Sequence, residues 1–332
     1  MIHNPVKLYA VIHIVRMMLY FVILVVCIAL LQAESPNKIK QCKHGTFILS
    51  DYDIDISEHM RLYGEWAESE LDLFLSLINP GDIVVDAGAN IGAFTVPLAK
   101  KVGPSGRVHS FEPQKVINQR LTANVVLNDL ENVDIYLSAL GNHTGFIDVP
   151  ILNYSLHGNY GALSLTAPLQ NQTPEWSYKV PIHKLDDINF YNPYTQSNCP
   201  SFIKMDVEKM EKWVLQGAAE TLKHCRPFIH AENNAESTSK GLIEYLFVID
   251  YIPFWDLRSP YNPNNFNKVE KDTSDGYISM NMLCVPKEKL TEFGGNVMVE
   301  MPRVERSKPY LADYKFTTST SEGRILTQYK DQ

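Results

Sequence analysis

Cysteine is scarce in this sequence, and the cysteines that occur are widely spaced. The 332 residues include five cysteines, and none of them forms a Cys-x-x-Cys pair, which removes the usual spacing signal of redox and zinc sites. Beyond Cys27, the remaining ones are Cys42, Cys199, Cys225 and Cys284. Their number is even but small, so the sequence allows one or two disulfides and equally allows buried free thiols.

An excess of positive charge, internal repeats and low-complexity tracts are also missing. The chain has 30 Lys and Arg residues against 38 Asp and Glu residues, a net charge of −8, which argues against nucleic acid as the main partner. With 45% hydrophobic and 20% charged residues, the composition fits one large globular domain with additional segments and excludes a disordered chain.

Two common nucleotide-binding loops are absent, although a glycine-rich loop is present. Residues 83–85 form a short β-branched run typical of a buried parallel strand, Asp86 follows, and a helix is predicted from about residue 94. A dinucleotide fingerprint would have glycine where Asn90 stands, and a phosphate loop would contain Gly-Lys-Ser/Thr. The pattern that is present over residues 86–92, Asp-x-Gly-x-Asn-x-Gly, is the first motif of class I methyltransferases.

This strand, loop and helix predict a site for S-adenosylmethionine (SAM) at the carboxyl end of the strand. SAM carries a sulfonium and an amino group, which suit the carboxylate of Asp86, and glycines let the backbone come close. The next predicted strand, residues 107–112, ends in Glu112, which is placed to accept hydrogen bonds from the ribose hydroxyls. The residues predicted to bind the donor are Tyr63 and Glu70, closing over it, Asp86, Gly88, Asn90, Gly92, Glu112 and Pro113, and Ala139 beside the adenine.

The longest hydrophobic run lies at the N-terminus. Residues 17–31 are uninterrupted apolar sequence, preceded by Lys7 and Arg16. As a helix, about 15 residues would span ~22 Å, and extension back to Leu8 would reach the ~30 Å of a hydrocarbon core. The segment Leu31-Gln32-Ala33, just before Glu34, also fits a signal-peptidase site. We therefore expect residues 1–33 to be a signal anchor or a cleaved signal peptide, and the protein to be a single-pass membrane protein or secreted.

The rest of the chain divides by composition. Residues 34–61 are a polar stem or linker, residues 62–287 form the SAM-dependent methyltransferase domain, and residues 288–332 are a peripheral tail. Residues from about 141–200 are rich in Asn, Pro, Tyr and Thr, and they predict a β-rich insertion. The predicted fold is α/β and Rossmann-like, as in class I methyltransferases, with a mostly parallel doubly wound sheet, the β-rich insertion and an N-terminal hydrophobic helix.

Three further patterns give expectations about individual elements. Alternating apolar residues predict one continuous strand over residues 133–140, and helical spacing predicts one continuous helix over residues 210–222. Within the insertion, residues 146–151, 161–165 and 178–183 are predicted to be short strands.

Acidic residues also end two later predicted strands, where they are candidates for catalysis. Asp206 ends the first, and period-2 geometry puts His230 and Glu232 on one face of the second. A sugar hydroxyl is a poor nucleophile at neutral pH, so a base or a metal must assist it. We predict that Asp206, His230 and Glu232 are the catalytic residues, with Asp206 or His230 as the base. A divalent metal bound by Asp206, Glu232 and His230 is the alternative, and a third is that these groups only tie loops to helix ends.

Taken together, these motifs resemble the FkbM-type SAM-dependent methyltransferases over about residues 44–287. The matching stretches are residues 63–66, 86–92, 111–113, 185–187, 203–208 and 226–229, the last followed by Glu232. The resemblance implies a Rossmann-like sheet, SAM as the cofactor and O-methylation of hydroxyls, often on sugars or natural products. One position departs from the family: its glycine after Asp-Val-Glu is Lys209 here, where a glycine would permit a sharp turn or a close substrate.

The sequence therefore predicts a SAM-dependent O-methyltransferase that acts on a hydroxyl of a glycan or small molecule. SAM is the predicted cofactor, a divalent metal is a second candidate, and no nucleic-acid partner is expected. The alternative is a catalytically silent binding protein on a methyltransferase fold, in the secretory pathway or anchored to a membrane, which Lys209 and the cytosolic origin of SAM both motivate. An NAD-dependent reductase is disfavoured by Asn90.

Overall fold

The computed structural model describes residues 13–23, 35–166, 176–274, 276–293, 301, 303–307, 318–321 and 324–327. The chain forms two compact units, residues 1–38 and 39–332. In the first unit, residues 13–23 are helical and exposed. Within the described residues, no helix combines the length and the apolar character that a membrane span requires. Residues 24–33 lie outside the described part, and the signal anchor or signal peptide stays a prediction.

A mostly parallel sheet organises the second unit, and its described strands number nine. In their order across the sheet they are β13 (Thr318–Ser321), β14 (Arg324–Thr327), β11 (Tyr251–Arg258), β12 (Ser279–Pro286), β10 (Phe228–Glu232), β9 (Phe202–Met205), β3 (Ile83–Ala87), β4 (Arg107–Phe111) and β5 (Val133–Tyr136). Pairing is parallel from β5 to β10 and antiparallel from β10 through β12 to β11. The predicted α/β fold with a mostly parallel sheet is confirmed.

The order of the strands reverses next to β3. The chain runs from β3 to β4 and β5 on one side and later returns to β9, which pairs with β3 on the other side, with Val84 opposite Phe202 and Ala87 opposite Met205. At such a switch point the connections leave the sheet in opposite directions, and a crevice opens at the carboxyl ends of the strands. The residues that follow Ala87 and Met205 therefore meet in this crevice.

Helices cover both faces of the sheet. They are Ile56–Tyr63, Glu68–Leu77, Thr95–Val102, Lys115–Leu127, Glu211–Gln216, Ala219–Cys225, Glu236–Val248 and Leu290–Phe293. Because side chains alternate along a strand, Val84 packs with Phe74 and Leu98 on one face, whereas Val85 packs with Val214 and Ile243 on the other. All of β3 is buried, as expected for a parallel strand covered on both sides.

Two smaller sheets complete the second unit. β1 (Asn37–Cys42) pairs with β2 (Gly45–Ser50), and a three-stranded sheet has the order β6 (Ala139–Leu140), β8 (Ser177–His183) and β7 (Gly145–Pro150). β7 and β8 are antiparallel, with Ile147 opposite Val180. A disulfide joins Cys199, just before β9, to Cys225 at the end of its helix, whereas Cys42 and Cys284 are buried free thiols.

Three predicted elements differ in the structure. The strand predicted over residues 133–140 is interrupted, because β5 ends at Tyr136 and β6 belongs to the three-stranded sheet. The helix predicted over residues 210–222 is two helices that meet at Gly217, where a Cβ atom would lie 1.9 Å from the carbonyl oxygen of Gly141. Residues 161–165 form turns and not a strand, and they line the pocket described next.

Candidate functional site

A small pocket lies at the carboxyl ends of β3 and β4. Phe111, Leu140, Leu163 and Met210 give it apolar walls, and Gly88, Glu112, Pro113, Ser138 and Ala139 lie along it as well. The hydroxyl of Ser138 is buried and has no hydrogen-bond partner among the described residues. Apolar walls with a few convergent polar groups are typical of small-molecule sites, and the predicted donor residues Gly88, Glu112, Pro113 and Ala139 all lie here.

Glu112 is the main polar group of this pocket. One carboxylate oxygen accepts a hydrogen bond from the N–H of Asn90 at 3.0 Å, and the other accepts one from the N–H of Gln114 at 2.8 Å. Burial raises the pKa of Glu112 to about 7, although these two N–H groups and Lys204 act in the opposite direction. The side chain therefore joins the glycine loop to β4 while it faces the pocket.

The glycine loop passes very close to the end of β9. Gly88 has φ +75°, and a Cβ atom there would lie 1.8 Å from the carbonyl oxygen of Asp206. Asn90 also adopts a left-handed conformation, with φ 49°, which asparagine tolerates better than most residues. The motif thus brings its backbone within reach of both the pocket and Asp206.

Asp86 occupies a different place from the one predicted. Its carboxylate is fully buried beneath the loop, where it accepts a hydrogen bond from Thr95 at 2.6 Å and lies 3.4 Å from the ammonium of Lys204. Since these neighbours surround it, Asp86 supports the site through Lys204 and the start of the helix Thr95–Val102. The direct contact predicted between Asp86 and the donor stays a prediction, and the burial of the carboxylate does not favour it.

A larger cleft adjoins the small pocket and shares Gly88, Glu112, Gly161, Asp206 and Glu208 with it. Its acidic lining consists of Asp55, Glu70, Glu112, Asp206, Glu208 and Glu232, and its aromatic lining includes Trp66, Phe94 and Tyr277. Lys204 is the single basic side chain among the described residues that line it. The cleft is therefore rich in carboxyl groups, and burial raises the pKa of several of them.

Three carboxylates converge in this cleft. Oxygen atoms of Asp206, Glu208 and Glu232 lie within 4.8 Å of one another. Burial, with help from Asp206 and Glu211, raises the pKa of Glu208 to about 8, and burial and the same acidic neighbours raise that of Glu232 well above its usual value. Such a group of oxygen ligands could hold Mg²⁺ or Ca²⁺. Two of the predicted catalytic residues, Asp206 and Glu232, thus lie together.

The third predicted catalytic residue, His230, lies beneath the cleft surface. It is buried, and its Nε2 atom is 2.9 Å from one carboxylate oxygen of Asp256. The other carboxylate oxygen of Asp256 accepts a hydrogen bond from Arg258 at 2.5 Å. The Nδ1 atom of His230 faces Glu70 at 4.0 Å. His230 is therefore placed to support Glu70, and it does not join the carboxylate group that could hold a metal.

The two donor-binding candidates that precede β3 behave differently. Glu70 lines the cleft, accepts a hydrogen bond from Asn281 at 2.9 Å, and has its pKa raised by burial. Tyr63 is buried, and its hydroxyl donates to the carbonyl of Lys271 at 3.0 Å and contacts Thr273. Tyr63 thus fixes the segment around Lys271, and its predicted role at the donor stays a prediction.

Sequence reasoning missed several residues of the site. Lys204 and Glu208 flank Asp206, and period-2 alternation along a strand was the available signal for Lys204, because it lies two residues before Asp206. Asp256 and Asn281 come from β11 and β12, far along the chain, and no local pattern connects them with β10. Only the pairing of the strands brings them to His230 and Glu70.

One comparison identifies the family of this chain. A model of the methyltransferase FkbM domain matches residues 86–258. The tRNA(Phe) (4-demethylwyosine(37)-C(7)) aminocarboxypropyltransferase of Methanocaldococcus jannaschii is 35% identical over 82 residues, which are 25% of this chain and 32% of that protein. The chain therefore matches only about a third of the length of that relative.

Two solved structures are among those similar to this chain. The methyltransferase FkbM from Methylobacillus flagellatus KT is 18% identical, with a TM-score of 0.39, and the match covers 65% of this chain and 50% of that one. TYW2 from M. jannaschii, solved in complex with AdoMet, is 18% identical with a TM-score of 0.41, and the match covers 76% of this chain and 86% of that one.

Proposed function

This chain belongs to the FkbM methyltransferase family, and we propose that it transfers the methyl group of SAM to a hydroxyl of a glycan or small molecule. The observation that carries the proposal is the small pocket in which Glu112 accepts a hydrogen bond from the N–H of Asn90 at 3.0 Å. That geometry links the glycine loop and the acidic end of β4 in one site, as the sequence motif requires.

The pocket has the features that the adenosine part of SAM would need. The carboxylate of Glu112 would accept hydrogen bonds from the ribose hydroxyls. The buried hydroxyl of Ser138, which has no partner among the described residues, would bond to the adenine between Phe111 and Leu140. The methionine end of SAM would leave the pocket past Gly88 and enter the larger cleft, whose carboxylates favour the sulfonium.

The larger cleft is where we place the acceptor. In the reaction the S–CH₃ bond of the donor breaks and an O–CH₃ bond forms, while the hydroxyl proton passes to a base. Holding the acceptor oxygen in line with the methyl group at about 3–3.5 Å would supply much of the rate. Asp206 and Glu232 lie in the cleft and are the bases that we propose, and the flat face of Trp66 offers a surface on which a sugar ring can pack.

A divalent cation fits the same carboxylates as an alternative means of activation. Asp206, Glu208 and Glu232 supply the hard oxygen ligands that Mg²⁺ prefers. A cation there would favour the ionised form of an acceptor hydroxyl. The role of His230 in either case is to position Glu70, since its ring is buried against Asp256.

We also propose that the protein folds in an oxidising compartment of the secretory pathway or outside the cell. The Cys199–Cys225 disulfide supports this, because disulfides persist mainly in such compartments.

The function can be tested by incubating the purified full chain with methyl-labelled SAM and a pool of glycans and hydroxylated small molecules. Mass spectrometry should find the label in an acceptor, and the Glu112→Ala variant should lose it. SAM binding without any labelled product would favour the silent binding protein and would contradict the transferase.

A further inference from the structure

SAM brings a negative charge into a cleft that is already lined by acidic side chains. Besides its sulfonium and ammonium groups, its methionine part ends in a carboxylate. The cleft is lined by Asp55, Glu70, Asp206, Glu208 and Glu232. A carboxylate that is desolvated among other carboxylates is costly unless a cation pairs with it. The donor therefore requires a basic partner, and Lys204 is the one basic group among the described residues that line the cleft.

Lys204 lines the larger cleft and is bonded to Gly88, which lines both the cleft and the small pocket. Its ammonium donates to the carbonyl of Gly88 at 2.8 Å and lies 3.4 Å from Asp86. The next acidic neighbour, Asp206, is 3.8 Å away, which is beyond hydrogen-bond distance. An ammonium has three N–H donors, so these contacts leave one donor for a ligand.

Lys204 keeps its positive charge although the side chain is buried. Burial disfavours the ammonium form, but Asp86, Asp206 and Glu70 outweigh it and raise the pKa of Lys204 above its ordinary value. The residue is 3% exposed, and it lies over the ring of Phe94 at 5.5 Å. Its position is fixed by β9 on one side and by the glycine loop on the other, so a ligand would meet a charge that is already in place.

The position of Lys204 matches the part of SAM that needs it. If adenosine occupies the small pocket, the methionine end crosses Gly88, and the ammonium of Lys204 is bonded to that same residue. We propose that Lys204 binds the carboxylate of the donor and so determines that the site accepts SAM in preference to its decarboxylated analogue. This inference rests on the proposed function, because it takes SAM to be the donor.

The first test compares two ligands on the unmodified full chain. Isothermal calorimetry should show SAM binding at least ~10-fold more tightly than decarboxylated SAM, as expected for the loss of one charge-assisted hydrogen bond. Equal affinity, or tighter binding of the decarboxylated compound, would overturn the role of Lys204 whatever its variants do. A chain that binds neither compound would instead remove the proposed function.

The second test uses Lys204→Met with Lys100→Met as its control. Lys100 also donates to a backbone carbonyl, that of His44 at 2.6 Å, but it does not line the cleft. Lys204→Met should weaken SAM by ~10–100-fold and leave decarboxylated SAM within threefold, whereas Lys100→Met should change neither. Equal loss of both ligands in Lys204→Met would show that the lysine only supports the loop, and would refute the inference. Lys204→Arg should keep the preference for SAM.

Discussion

The carboxyl group of Glu112 changes its charge near neutral pH, and its proposed role as acceptor for the ribose hydroxyls depends on that charge. Burial raises its pKa to about 7, so the carboxylate is largely protonated at pH 6 and ionised at pH 8. Two ribose hydroxyls can donate to an ionised carboxylate but not equally to a carboxylic acid.

We therefore expect the affinity for SAM to rise between pH 6 and pH 8, by up to about tenfold for one pKa unit of coupling. Calorimetric titrations at both pH values would measure it. In Glu112→Gln the affinity should be weaker and should rise less with pH over this range, where Glu208 of the cleft, with its pKa raised to about 8, still titrates. A wild-type affinity that is flat with pH would mean that this carboxylate does not contact the donor.

Lys209 keeps the backbone conformation that a glycine would adopt. Its φ is +79°, and the preceding Glu208 has φ +52°. Left-handed conformations cost non-glycine residues about 1–2 kcal/mol. The departure from the family's glycine is thus local strain in an exposed turn, and the turn itself is retained.

Lys209→Gly should raise the free energy of unfolding by about 0.5–1 kcal/mol, since relief of the strain exceeds the entropy that glycine adds to the unfolded chain. Urea denaturation would measure the change. As a control, Lys212→Gly within the helix Glu211–Gln216 should lower stability by about 1 kcal/mol. Destabilisation by Lys209→Gly would show that the lysine side chain makes a stabilising contact.

At the scale of elements, the close approach of the glycine loop to β9 is the contact on which the crevice depends. Gly88 has φ +75°, and a Cβ atom on it would lie 1.8 Å from the carbonyl oxygen of Asp206. Because both partners are backbone, neither can rotate away. Gly103 has a similar φ of +67°, but no atom of the other described residues lies within 4 Å of the place where its Cβ atom would be. A substitution of Gly103 therefore measures the cost of the backbone conformation without steric crowding.

Because Gly103 combines its positive φ with ψ −176°, a conformation essentially restricted to glycine, Gly103→Ala should cost about 1–3 kcal/mol in unfolding free energy, and Gly88→Ala clearly more. Gly88→Ala should also weaken SAM binding, because the loop must move away from β9. Chemical denaturation and calorimetry of both variants would measure these effects. Equal costs for the two substitutions would contradict the close approach.

The elements that sequence reasoning placed well are those with a local signal. The β-branched run before Asp86 and the acidic ends of the strands predict β3, β4, β9 and β10, because buried parallel strands are short and apolar. The interruptions of the strand over residues 133–140 and of the helix over residues 210–222 were not predictable in this way. Gly217 interrupts a helix because the carbonyl of Gly141, far away in sequence, lies against it, and only the folded structure contains that contact.

Across the whole molecule, the disulfide ties together two strands of the central sheet. Cys199 precedes β9, Cys225 precedes β10, and 26 positions separate the two cysteines. Closing a loop of that size lowers the entropy of the unfolded chain by an amount worth roughly 3–4 kcal/mol of stability.

Reduction should accordingly lower the unfolding temperature by several degrees, as measured by thermal denaturation with and without a thiol reductant. The double variant Cys199→Ser, Cys225→Ser should reproduce the shift and should not respond further to reductant. Cys284→Ser should still respond, since Cys284 is a buried free thiol. An unchanged melting temperature on reduction would mean that the disulfide is absent from the folded protein.

The charges of the site illustrate why part of it could not be predicted. Asp86 and Glu112 look equivalent in the sequence, since each ends a strand beside the glycine loop. In the structure Asp86 is covered by Thr95 and Lys204, whereas Glu112 faces the pocket. Similarly, His230 lies beneath the cleft, where its ring contacts Asp256 of β11. Which acid reaches the ligand is decided by neighbours from distant strands.

The most direct measurement of the central claim is a calorimetric titration of the purified chain with SAM at pH 8. The account predicts saturable binding to one site per chain, which falls by at least ~10-fold in Glu112→Ala because the ribose loses its acceptor. Absence of heat with the wild-type chain, or undiminished affinity in the variant, would contradict the assignment of this pocket to the methyl donor.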